Sequence, residues 1–131
     1  MIQFTGNEGE LVAASKFQEL ATPHKKKQRE IHGRGENFVE AEFFGIKKFN
    51  KLIEKHGDKC VGFRVFYGSR EEDHSADEIV LGKGKHTSRL IIVPVDADGN
   101  NLIPAAEFGK KDAPDEDAMA GGPLCPRQCG K

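Results

Sequence analysis

The stretch Cys60-Val-Gly-Phe-Arg-Val-Phe-Tyr-Gly68 decides the fold. Val61, Phe63, Val65 and Tyr67 alternate with Cys60, Gly62, Arg64 and Phe66, the two-residue period of a strand with one strongly apolar face. A second apolar run, Leu90-Ile-Ile-Val-Pro-Val95, is its natural partner, and it closes on the dense turn signal Asp96-Ala-Asp-Gly-Asn-Asn101. These two strands are expected at the centre of a small sheet.

Outward from this centre, Ile46, Phe49, Leu52 and Ile53 recur at helical spacing between lysines, with Gly57 as the stop, and predict an amphipathic helix. Phe38 to Phe44 alternates apolar residues with Glu40 and Glu42 and predicts a strand. Nearer the start, Leu11, Val12, Ala14, Phe17 and Leu20 predict a first helix capped by Thr5 or Asn7 and ended by Pro23. The basic run from His24 to Gly35 reads as a solvated connection, with a phosphate- or nucleic-acid-binding patch as the alternative. Ser69 to Ser88 reads as a long polar connection between the two central strands, either mobile or functional. From Pro104 onward the chain is acidic and loop-like.

The fold expected is therefore α+β: a small, mostly antiparallel sheet with two helices packed on one face and a long C-terminal tail. A chain of 131 residues suits a single domain, here a compact core over 1–105 and a tail over 106–131 carrying a cysteine pair. The formal net charge of -1 gives no overall electrostatic case for nucleic acid or an anionic membrane. No apolar run approaches the roughly 18 residues of a membrane span. Met1-Ile-Gln-Phe-Thr5 lacks the basic-then-apolar pattern of a secretory signal, so a cytoplasmic protein without a membrane partner is expected.

The motifs that would carry chemistry fail one by one. Gly82-Lys-Gly-Lys-His-Thr87 resembles a phosphate loop, but His86 follows the lysine and Ile79 stands where a glycine is required. Asp96, Asp98, Asn100 and Glu107 have the spacing of calcium-loop ligands, yet Asn101 occupies the place of the loop's glycine, and a tight turn is the simpler reading. His74 among Glu71, Glu72, Asp73, Asp77 and Glu78 reads as a solvated loop cluster. His24, His32, His56 and His86 have no carboxylate or nucleophile partner fixed by spacing, so no catalytic residue is assigned.

Three cysteines carry more information. Cys125 and Cys129 lie close together in a tail without hydrophobic periodicity, and Cys60 begins the organising strand. If the tail folds back over that strand, the three sulfurs meet. Cys60, Cys125 and Cys129 then suit zinc together with one further ligand, or two of them form a disulfide, or all are ordinary thiols. Arg64 projects from the same strand face as Cys60 and needs a partner, with the acidic tail residues Asp115 and Asp117 as candidates.

The strand Cys60-Val-Gly-Phe-Arg-Val-Phe-Tyr-Gly68, the segment Val95-Asp-Ala-Asp-Gly-Asn100 and the tail Cys125-Pro-Arg-Gln-Cys129 together resemble a family of small uncharacterised Bacteroidota proteins. Its pattern is a Cys-x-Gly-x-Arg-x-Tyr-Tyr-Gly strand, a Val-Gly-Val-Asp-x-x-Gly-Asn segment and a terminal Cys-Pro-Pro-x-Cys. The resemblance covers roughly residues 40 to 129, with Cys60, Gly62, Arg64, Tyr67, Gly68, Asp96, Gly99, Asn100, Cys125, Pro126 and Cys129 matching. Phe66, Pro94 and Arg127 depart from it. It implies that the three cysteines act together and implies no reaction.

The function expected is a non-enzymatic interaction or assembly protein whose partner is itself or another protein, with basic residues early and acidic ones late favouring self-association. A metal-binding or redox-linked protein using the three cysteines, with zinc as the cofactor, is the alternative. A nucleic-acid accessory role for Lys25, Lys26, Lys27, Arg29 and Arg34 is the weaker one.

Overall fold

The structure is a computed structural model, and it describes residues 3–32, 38–74, 80–82, 84–104 and 116–125. The fold is α+β, with two helices and two small antiparallel sheets. In chain order the elements are α1 (Ala14–His32), β1 (Ala41–Glu42), α2 (Ile46–His56), β2 (Gly62–Asp73), β3 (Val80–Leu81), β4 (Lys85–Val95) and β5 (Leu124–Cys125). One sheet has the order β3-β2-β4 and the other pairs β1 with β5. No helix among the described residues is long and apolar enough to cross a membrane.

The chain divides into two compact units. The first comprises Met1–Glu8, Phe44–Phe66 and Leu90–Gly121. Its core is built from the two sequence features that are easiest to read. Leu52, from the apolar stripe of α2, meets Ile92 of β4 and Met119, with Phe44, Phe49 and Phe63 packed around them. Phe49 and Phe63 make an edge-to-face pair with ring centres 5.1 Å apart. Ile92 and Met119 exchange backbone hydrogen bonds of 2.9 Å each way, tying the segment after residue 115 to β4. Lys51 and Lys55, one turn apart on the outer face of α2, hold Glu116 at 3.2 Å and Asp117 at 2.6 Å.

The second unit comprises Gly9–Phe43, Tyr67–Arg89 and Gly122–Lys131. Ala41 pairs with Cys125 and Glu42 with Leu124, whose side chain is 2% exposed. Glu72 and Asp73 of β2 pair with Leu81 and Val80.

Several expectations are corrected. The first helix does not start at Thr5 or Asn7. The Glu8 carboxylate does accept hydrogen bonds from the Thr5 and Gly6 N–H groups, at 2.7 and 2.8 Å. However, Gly6 and Gly9 hold left-handed backbone at φ 93° and 90°, which no helix can propagate, and α1 begins at Ala14. Nor does Pro23 end it. The following Lys25-Lys26-Lys27-Gln28-Arg29-Glu30 consists of strong helix formers, and Lys25 and Arg29 both pair with Glu40, at 3.4 and 3.7 Å. The basic run is thus mostly helix, not a connection.

The strand expected over Phe38 to Phe44 shrinks to Ala41–Glu42. The polar connection expected from Ser69 to Ser88 is largely strand, because β2 continues to Asp73 and β4 starts at Lys85. On β2 only Phe63 reaches the core, while Val65 and Tyr67 are 48% and 91% exposed.

Candidate functional site

Arg64 sits on β2 in the first unit, half-buried, beside a cavity of ≈ 250 Å³. Phe4, Glu8, Val61, Phe63, Arg64 and Val95 line it. The turn after β4 holds Phe4, one wall of the cavity, in place. There the Asp96 carboxylate accepts from the Asp98 and Asn100 N–H groups at 3.0 and 2.8 Å. Those N–H groups, Asn100's first, hold the Asp96 carboxyl below the usual carboxylate range. Gly99, at φ 85°, lets the turn pass the Phe4 ring so closely that a Cβ would stand 2.7 Å from it. Phe4 in turn donates its N–H to the Ala97 carbonyl at 2.8 Å.

The sequence demands a partner for Arg64, and the structure supplies neutral ones. Nη1 donates to Asn101 Oδ1 at 2.6 Å and to the Gly99 carbonyl at 3.2 Å, and the guanidinium lies 5.9 Å from the Phe4 ring centre. Asp117, one of the expected partners, pairs with Lys55 instead, and Asp115 lies outside the described residues.

A second constellation, in the second unit, joins Glu72 and His74 to Arg89, a residue the sequence did not single out. Arg89 grips Glu72 with a two-pronged contact, Nε to Oε2 and Nη2 to Oε1, both 2.7 Å. Its third nitrogen donates to Glu42 at 3.0 Å and to the Gly122 carbonyl at 2.6 Å. Arg70 Nε adds a contact to Glu72 Oε2 at 3.0 Å. His74 Nε2 lies 2.9 Å from Glu72 Oε1, and because an ionised carboxylate only accepts, the ring nitrogen is the donor. Glu72 is fully buried, and His74 and Arg89 are 5% and 7% exposed. Burial pushes the Glu72 carboxyl up, but the hydrogen bonds from Arg89, His74 and Arg70 outweigh it and bring it from 4.5 to about 2. The carboxylate cluster around His74, expected to be solvated, is therefore buried at Glu72 and His74. Asp77 and Glu78 lie outside the described residues. With the Glu72, His74 and Arg89 charges buried and hydrogen-bonded, this network clamps β1 and the segment entering β5 onto β2 and β4.

The remaining predicted positions separate. Cys60 is a half-buried free thiol with Sγ 3.5 Å from the Gly62 carbonyl, whereas Cys125 is disulfide-bonded. Cys129 lies outside the described residues. Zinc ligation needs thiolates, so a three-sulfur site belongs to a reduced chain. Lys25 and Arg29 pair with Glu40, and Arg29 also lies 5.3 Å from the Phe38 ring centre, while Lys26 and Lys27 are exposed on α1.

No family model, curated protein or solved structure matches this chain.

α1 carries exposed apolar residues along one face. Phe17, Leu20, Ala21, His24, Gln28 and Ile31 recur three and four residues apart and so share one face. Only Ala21 and Gln28 are half-buried, and Phe17, Leu20 and Ile31 are 57%, 61% and 61% exposed.

Proposed function

We propose that the chain is a non-enzymatic assembly protein that associates with a second copy of itself through α1. The apolar stripe of Phe17, Leu20 and Ile31 carries this reading. Helices in water owe most of their stability to burying such a stripe, and this one leaves it uncovered while also carrying Pro23 in its interior. Two copies of α1 laid antiparallel bury both stripes. That arrangement also brings Glu19 in the first half of one α1 towards the basic second half of the other. A two-fold pairing of this kind is closed, since the same patch serves both copies.

Sedimentation velocity over a concentration series tests it. The parent chain is expected to sediment as a dimer at high concentration, and Leu20→Glu as a monomer with an unchanged circular dichroism spectrum. A parent chain that stays monomeric throughout, or a Leu20→Glu chain that still dimerises, overturns the proposal.

A further inference from the structure

The cavity beside Arg64 carries charges of both signs that are engaged elsewhere and not with each other. The hydrogen bonds of Arg64 go to Gly99 and Asn101 through Nη1, and Nε and Nη2 have no hydrogen-bond partner among the described residues. The Glu8 carboxylate accepts from Thr5 and Gly6 and, being exposed, has room for a further donor. Phe4, Val61, Phe63 and Val95 supply apolar wall to the same space.

Three properties narrow the ligand. A simple anion would gain Arg64 but face Glu8, and a simple cation would meet the reverse. A molecule with both charges satisfies both groups. At ≈ 250 Å³ the cavity falls below the roughly 300–1,000 Å³ of sites for drug-sized ligands, which excludes a nucleotide or an extended peptide. The apolar wall favours a hydrocarbon side chain over a polar one. We propose that this cavity binds a free α-amino acid with a small apolar side chain, its carboxylate on Arg64 and its ammonium group on Glu8. This site is in the first unit and does not depend on assembly through α1.

Amide NMR titration of the full chain with L-leucine, L-valine and L-alanine tests it. Saturable shifts at Gly62 and Gly99 are expected for at least one of them. For that amino acid, the analogue without the ammonium group (4-methylpentanoate for leucine) and the one without the carboxylate (3-methylbutylamine) are each expected to bind about tenfold or more weakly, the usual loss for a charge-assisted hydrogen bond. Arg64→Gln should abolish the shifts. Glu8→Gln, at an exposed position, keeps the fold and should erase the preference for the amino acid over its deaminated analogue. That variant decides the matter even if Arg64→Gln fails to fold. Absence of saturable binding by all three amino acids, or a preference that Glu8→Gln leaves intact, overturns the proposal.

Discussion

Arg89 shows what a single side chain can hold together. It reaches Glu72, Glu42 and the Gly122 carbonyl from within β4, at a position almost closed to water. Arg89→Met keeps much of the bulk but leaves Glu72 and Glu42 facing one another with their strongest donor gone. The expected cost is about 3–5 kcal/mol, the usual penalty for breaking a buried pair by removing one partner. Urea unfolding at neutral pH measures it, and the double variant Arg89→Met, Glu72→Met should recover part of the loss. If the double variant is less stable than the single one, the network contributes more than mutual compensation of its charges. None of this was legible from hydrophobic periodicity, because Thr87 and Arg89 alternate into the interior as polar residues and so read as loop. The one signal was an arginine immediately before the apolar run Leu90-Ile-Ile-Val-Pro-Val95. Arg64 was easier to find, because it interrupts an apolar strand and so announces a need for a partner, though not which partner.

At the scale of elements, the two helices differ in how far their sequences specify them. The stripe of α2 ends in a buried Leu52, and its C-terminal stop at Gly57 is where the N–H to Ile53 carbonyl bond places it. Its bounds follow from the sequence alone, but of the expected stripe only Phe49 and Leu52 reach the core, while Ile46 and Ile53 are exposed. α1 follows from tertiary contacts that no periodicity reveals, since Glu40 lies outside the helix yet anchors its second half. Pro23 deprives the Glu19 carbonyl of its helical donor and crowds it, which costs a helix interior about 3 kcal/mol. Pro23→Ala is therefore expected to slow amide hydrogen exchange throughout Ala14–His32 and to deepen the helical circular dichroism signal. Unchanged exchange would mean that the contacts to Glu40, and not helix continuity, govern this segment.

For the whole molecule, the response to acid follows from how its carboxylates are held. Among the described residues three are drawn below their ordinary range, and they are not equivalent. Glu8, held chiefly by the Thr5 N–H, and Asp96, held chiefly by the Asn100 N–H, are at the surface, where water and salt screen them. Glu72 is enclosed, and its carboxyl is brought from 4.5 to about 2. A carboxyl held lower in the folded chain than in the unfolded one stabilises the fold fully above its unfolded value. That contribution fades as the pH falls and is gone below the folded value. For Glu72 the window runs from about pH 4.5 down to about pH 2, and the shift corresponds to about 3 kcal/mol. Urea unfolding at several pH values across this window, on the parent and on Glu72→Gln, isolates that contribution. Glu72→Gln starts less stable at neutral pH and is expected to show only the shallow acid slope left by the surface carboxylates. The parent loses its advantage across the window, so the two stability curves converge toward about pH 2. Parallel curves, with a constant gap through the whole acid range, would show that Glu72 is not the carboxylate that sets acid stability.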